Sequence, residues 1–127
     1  MKYMLLIYMA EDAINAAERE QCYQDSTRLT HELAAAGQFL GAGPLQPIAT
    51  ATSVRIREGR RLVTDGPFAE TREQLGGYFL IDVPDLDAAL SVAARIPGAK
   101  KGVVEVRPMI EIPGLPEPSQ ASTVAAV

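Results

Sequence analysis

The chain opens with Met1-Lys2-Tyr3-Met4-Leu5-Leu6-Ile7-Tyr8-Met9-Ala10, and the reading of this stretch decides the fold. One charge precedes an apolar run rich in aromatic and branched residues, which Glu11-Asp12 cuts off. The run is too short to span a bilayer and is followed by no small-residue cleavage site, so it predicts neither a membrane span nor a secretion signal. It fits a buried strand from Lys2 to Met9. Successive side chains of a strand point to opposite faces. Tyr3, Leu5, Ile7 and Met9 therefore share one face and Met4, Leu6 and Tyr8 the other, and both faces are apolar. The stretch Gly76 to Val83 repeats the property, with Phe79, Ile81 and Val83 opposite Tyr78 and Leu80.

Outward from these strands the elements alternate. Asn15 followed by Glu18 has the spacing of a capping box and starts a helix. Leu29, Cys22, Ser26, Leu33 and Ala36 form one stripe on that helix, read as its buried face, and Gly37 ends it as a left-handed cap. A strand follows over about Gln38 to Leu45. Another runs from Thr50 to Arg57, where Val54 and Ile56 alternate with Arg55 and Arg57. Glu58-Gly59 signals a tight turn into a short strand from Arg60 to Thr64, and an irregular loop then occupies Asp65 to Leu75. Asp85 caps a second helix whose buried face reads as Leu86, Ala89, Leu90 and Ala93, and Pro97-Gly98 stops it. A last strand spans about Gly102 to Ile110.

Two β-α-β halves with a hairpin between them predict an α+β fold, a ferredoxin-like split β-α-β sandwich with both helices on one face of an antiparallel sheet. Such a sheet should be polar on its other face. Here it is not, and the expected cover is the same face of a second copy, giving a homodimer, a dimeric α/β barrel. The competing cover is the chain's own C-terminal segment. From Pro113 onward the sequence is proline-broken, so residues 1–112 are read as the folded domain and residues 113–127 as a flexible tail.

Composition narrows the function. With 127 residues, 47% hydrophobic and 22% charged, the chain is long enough for one domain with its own core. Its net charge of −4, with no basic run longer than Arg60-Arg61 or Lys100-Lys101, argues against nucleic-acid and anionic-membrane binding. Cys22 is the single cysteine, which excludes an internal disulfide and a cysteine-based metal site and suggests a reduced, cytoplasmic setting. No phosphate-cradling glycine loop and no serine nucleophile elbow is present.

The most distinctive passage is DGPFAETREQLGGYFLIDVPDLDAAL, residues 65–90. Together with the opening MKYMLLIY, the passage from Gly43-Pro44-Leu45 to Thr52 and the closing VEVRP at residues 104–108, it closely resembles the YCII-related family, in the branch named after its DGPF motif. The resemblance covers about residues 1–112. It implies a ferredoxin-like dimeric α/β barrel and a small-molecule pocket without a tightly held cofactor. Some members of the family act on small organic substrates, and the branch is often encoded beside extracytoplasmic-function sigma factors. A His–Asp pair, with the histidine on the first helix, has been proposed as catalytic in the wider family. The only histidine here, His31, lies six residues before Gly37 and does not match that position.

Asp65 is the foremost candidate for chemistry: a carboxylate on a rigid loop beside an apolar barrel mouth is placed to be a general base. The alternative is a capping role, accepting backbone N–H bonds within the Asp-Gly-Pro turn. Phe68 is expected to bury its ring and, with Tyr78, to wall off the site. Arg72 and Arg107 are candidates to clamp a substrate carboxylate. Their alternatives are ion pairs, with Glu70 or Glu73 for Arg72 and with Glu105 or Asp82 for Arg107. His31 reads as solvated, Cys22 as inert core, and no metal site is expected.

Two functions remain open. One is a cofactor-independent enzyme on a small anionic organic substrate, with Asp65 moving the proton. The other is a non-catalytic ligand sensor or protein-binding accessory linked to sigma-factor regulation.

Overall fold

The computed structural model describes residues 1–117, so most of the expected tail, residues 118–127, lies outside the described residues. The chain forms β1 (Lys2–Met9), α1 (Ala16–Ala35), β2 (Phe39–Pro44), β3 (Thr52–Arg57), β4 (Arg60–Asp65), β5 (Gln74–Asp82), α2 (Leu86–Arg95) and β6 (Val103–Pro108). Short 3₁₀ turns fall at Ile48–Thr50 and Pro97–Lys100.

The sequence explains most of these boundaries. Asn15 Oδ1 accepts from the Glu18 amide at 2.8 Å while Glu18 Oε1 accepts from the Asn15 amide at 3.1 Å, closing the capping box. Gly37 takes φ +72° after α1. Asp85 Oδ1 accepts from the Ala88 amide at 2.9 Å and starts α2. Glu58 and Gly59 both have positive φ, as a tight hairpin turn requires.

Four strands make one antiparallel sheet in the order β2-β5-β1-β6. This is the ferredoxin-like arrangement, an α+β fold. The register aligns Tyr3 with Ile81, and Leu5 with both Phe79 and Val106. These side chains face the helices and form the core with Leu29 and Leu33 of α1 and Ala89, Val92 and Ala93 of α2. On the other face Gly41, Leu80, Met4 and Arg107 stand in one row, and Gly43, Tyr78, Leu6 and Glu105 in the next. Met4, Leu6, Tyr8, Tyr78 and Leu80 are only half-buried there, since both helices pack on the opposite side.

Two expectations change. The buried face of α2 is Ala89, Val92 and Ala93, continued by Ile96, whereas Leu86 and Leu90 are exposed. Small side chains at that spacing let the helix lie close to the sheet, and the leucines turn to its flank. Of the stripe expected to be buried on α1, only Leu29 and Leu33 are buried; Cys22 and Ser26 are half-buried and Ala36 is exposed. Strands β3 and β4 form the hairpin expected between the two halves and join only each other, as a separate two-stranded ribbon.

Close approach fixes two glycines. A Cβ on Gly102 would stand 2.0 Å from the Tyr8 carbonyl oxygen, and one on Gly98 2.6 Å from Ile7 Cγ2, so the turn into β6 closes only with hydrogen there. A Cβ on Gly41 would meet nothing within 4 Å, and its φ is not positive. Gly102→Ala should therefore lose about 1–3 kcal/mol in a thermal or urea melt, as an overpacked position does. Gly41→Ala should stay within about 0.5 kcal/mol of the parent. Equal melting of the two variants would contradict this reading.

Candidate functional site

Helix α1 turns Cys22, Ser26 and Thr30 toward the cavity, beside the buried Leu29 and Leu33. Leucines fill the space above the sheet, and these small side chains do not. The result is a cavity of about 530 Å³ between α1, the β1–β5–β2 part of the sheet and the Leu45–Pro47 segment. Its floor is apolar, from Ile7, Met9, Phe39, Ala42 and Phe79. Gly77 lets β2 run close at this edge, since a Cβ there would come within 3.0 Å of the Gly43 carbonyl oxygen.

Polar groups gather at one end. Arg19, from the first turns of α1, lines the cavity half-buried; its Nη2 lies 3.4 Å from the Glu11 carbonyl oxygen, and no carboxylate among the described residues pairs with it. Glu11 supplies the one carboxylate of the lining, and its Oε2 accepts from the Ile48 amide at 2.8 Å. Cys22 also lines the cavity; burial pushes its thiol pKa up, and the nearby Asp25 and Glu18 carboxylates add to the effect. A thiol so placed is a weak nucleophile at neutral pH. Among the described residues no group of three or more His, Cys, Asp or Glu side chains is arranged to hold a metal ion.

A second, more polar groove of about 480 Å³ runs between α1 and the α2–Pro97 segment. Glu32 pairs with Arg95 across it, and Lys101 approaches Glu18 at 3.9 Å.

The residues singled out from sequence fall in different places. Tyr78 borders the cavity at the β5 edge, while its ring stands on the helix-free face beside Gly43. Asp65 ends β4, exposed and outside both cavities. Its carboxylate accepts no bond from the turn among the described residues. The turn is held instead by the Gly66 amide on the Ala51 carbonyl oxygen at 2.7 Å and by Ser53 Oγ donating to the Gly66 carbonyl oxygen at 2.7 Å. The expected burial of Phe68 is corrected: its ring is 75% exposed and is covered from one side by the Arg55 guanidinium, 4.8 Å from the ring centre. Arg72 is exposed near the hairpin, and Arg107 lies on the helix-free face of the sheet opposite Met4. Neither makes an ion pair among the described residues, so the alternatives of structural pairing do not hold. His31 is exposed on α1, as its position on the helix predicts. Sequence reasoning missed Glu11 and Arg19, although the run of small polar residues at positions 22, 26 and 30 was a visible sign of unfilled space.

The raised thiol pKa has a direct consequence. Cys22 should react with iodoacetamide more slowly than a free cysteine at neutral pH, and the rate should climb only as pH passes the ordinary thiol range. Alkylation at the free-cysteine rate near pH 7 would contradict it.

Comparison with known proteins agrees with this architecture. A protein of Rhizobium meliloti (strain 1021), described only as uncharacterized, is 37% identical over 114 residues, covering 86% of this chain and 92% of the relative. A solved structure of 5-chloro-2-hydroxyhydroquinone dehydrochlorinase from Burkholderia phenoliruptrix AC1100, in complex with 2,5-dihydroxybenzoquinone, is similar with a TM-score of 0.52 at 13% sequence identity. That match covers 87% of this chain and 95% of the other, and it shows a common fold. The model of the YCII-related domain matches residues 1–113, and the chain belongs to that family.

Proposed function

We propose that this chain is a homodimeric protein that binds a small, ring-sized organic molecule in the cavity beneath α1 and acts on it by acid–base chemistry without a cofactor. The cavity itself carries the reading: about 530 Å³, with an apolar floor and one guanidinium and one carboxylate at its end. Sites for small organic ligands usually measure about 300–1,000 Å³ and combine apolar walls with a few oriented polar groups. Arg19 offers a forked donor to a carboxylate or phenolate, and Glu11 offers a carboxylate to take up a proton. The dehydrochlorinase solved with a benzoquinone supports an oxygenated ring as ligand by analogy of fold alone.

Second copies enter through the helix-free sheet face, where Met4, Leu6, Tyr8, Tyr78 and Leu80 lie half-buried. Tyr78 and Arg107 would then stand inside the interface. Asp65, Phe68 and Arg72 lie outside the cavity of their own chain, and a role for them in the same site requires that a second copy bring its hairpin to it. The run Asp65-Gly66-Pro67-Phe68 supports a place in the DGPF branch of the family. A cytoplasmic setting fits the single unpaired Cys22; among the described residues no helix is long and apolar enough to cross a membrane.

The experiment is a thermal-shift series with benzoate, catechol and 2,5-dihydroxybenzoquinone as probes. A ligand at one hundred times its Kd stabilises the fold by about 2.7 kcal/mol. Ser26→Leu, which fills the cavity, should cancel every shift, and Arg19→Gln should weaken the carboxylate selectively. No shift from any ring compound, or shifts that survive Ser26→Leu, would remove the cavity from the function. With a turned-over probe in hand, Glu11→Gln should cut kcat by about 10²–10⁴-fold while leaving binding. Loss on Asp65→Asn instead would move the chemistry to the hairpin. Binding without turnover in the parent would favour the sensor or accessory role.

A further inference from the structure

The β3–β4 ribbon pairs with no other strand, and two strands alone are marginally stable in water. Its two faces differ in composition. Val54 stands opposite Val63 and Ile56 opposite Arg61, so one face carries three apolar side chains and Arg61. Val54, Ile56 and Val63 are 61%, 59% and 51% exposed, a higher exposure than any apolar side chain of the main sheet's helix-free face. The other face carries Arg55, Arg57 and Arg60 around a single exposed apolar side chain, Leu62.

Charge is as uneven as polarity. The ribbon Thr52–Asp65 holds four arginines against Glu58 and Asp65, a net +2 on a chain of net −4, so the remaining residues carry −6. None of the four guanidiniums makes an ion pair among the described residues. With strands of six residues the ribbon reaches about 20 Å from its base, far enough to leave its own domain. Its root is firm: the Gly66 amide bonds the Ala51 carbonyl oxygen, and Ser53 Oγ bonds the Gly66 carbonyl oxygen.

We infer that the β3–β4 ribbon is an arm that clasps a second copy of this chain, laying Val54, Ile56 and Val63 on the partner while its arginines meet the partner's acidic body. This rests on the reading that two copies associate through the sheet face, and adds to it the element that grips. A basic arm on an acidic domain is complementary to another copy of the same domain, and it repels a second arm. Such complementarity fixes orientation and speeds encounter, and it weakens with salt. Apolar side chains this exposed are sheltered in the complex and make the ribbon's fold stable.

Hydrogen exchange of the full chain, at concentrations well below and well above the dimer Kd, tests the arm directly. Amides of β3 and β4 should exchange at least about tenfold more slowly in the concentrated sample. Exchange that is equally fast at both concentrations would overturn the proposal. Sedimentation of Val54→Ser/Ile56→Ser and of Arg57→Glu/Arg60→Glu gives a second readout. Each pair should raise the dimer Kd by about tenfold or more, the charge-reversed pair chiefly at low salt, with thermal melting of the dissociated protein, measured well below the dimer Kd, unchanged. Kd values equal to the parent's in both would overturn the arm. Leu6→Glu separates the two readings. If it abolishes association while the ribbon variants associate normally, the sheet-face dimer stands and the arm falls. If Leu6→Glu has no effect while the ribbon variants dissociate, the arm stands and the sheet face falls.

Discussion

Strand β1 is apolar on both faces, and two helices cover only one of them. Tyr3 and Leu5 lie in the core beneath α1 and α2, whereas Met4, Leu6 and Tyr8 look away from it. With Tyr78 and Leu80 of β5 they make a continuous apolar surface at the centre of the sheet. Full burial of a large apolar side chain is worth about 1.5–3 kcal/mol. Completing the burial of five half-covered side chains is therefore worth on the order of 5 kcal/mol per copy, which is set against the freedom lost on association. The described part of the C-terminal segment does not supply the cover: Ile110, Ile112 and Leu115 are themselves exposed, and its one ion pair with the sheet is Glu117 to Lys2 at the outer end of β1.

The same economy of side chains makes the cavity. Leu29 and Leu33 seal α1 to the core, and the small side chains of Cys22, Ser26 and Thr30 beside them leave space over the sheet. The space so left is lined mainly by strands β1, β2 and β5, the strands that also build the helix-free face. The floor of the cavity and the helix-free face are thus two sides of the same three strands. Glycines at 77, 98 and 102 hold the strands and the turn into β6 at the close distances the arrangement needs.

Much of this was legible in the chain. Asn15 with Glu18, Asp85, Gly37 and Glu58-Gly59 mark ends and turns through local hydrogen bonding and backbone geometry, which short-range sequence encodes well. The two-sided pattern of β1 was readable because strand periodicity is strict. The buried face of α2 was misjudged because larger side chains were taken for buried ones, whereas contact with the sheet selects Ala89, Val92 and Ala93 over Leu86 and Leu90. The stripe read as buried on α1 holds for Leu29 and Leu33 only; Cys22 and Ser26 are too small to fill the space and border the cavity, and Ala36 is exposed. Phe68 was expected inside on hydrophobicity alone; Arg55 shields it at the surface instead. Glu11 and Arg19 come together through tertiary structure, and no spacing announced them.

The central claim is that the helix-free sheet face is sheltered by a twin. Static light scattering on the full chain across a range of concentrations measures this most directly. The mass should approach twice 13.6 kDa as concentration rises and fall back on substitution of Leu6 by Glu. A mass of 13.6 kDa at every concentration would contradict the claim and leave that face open to water.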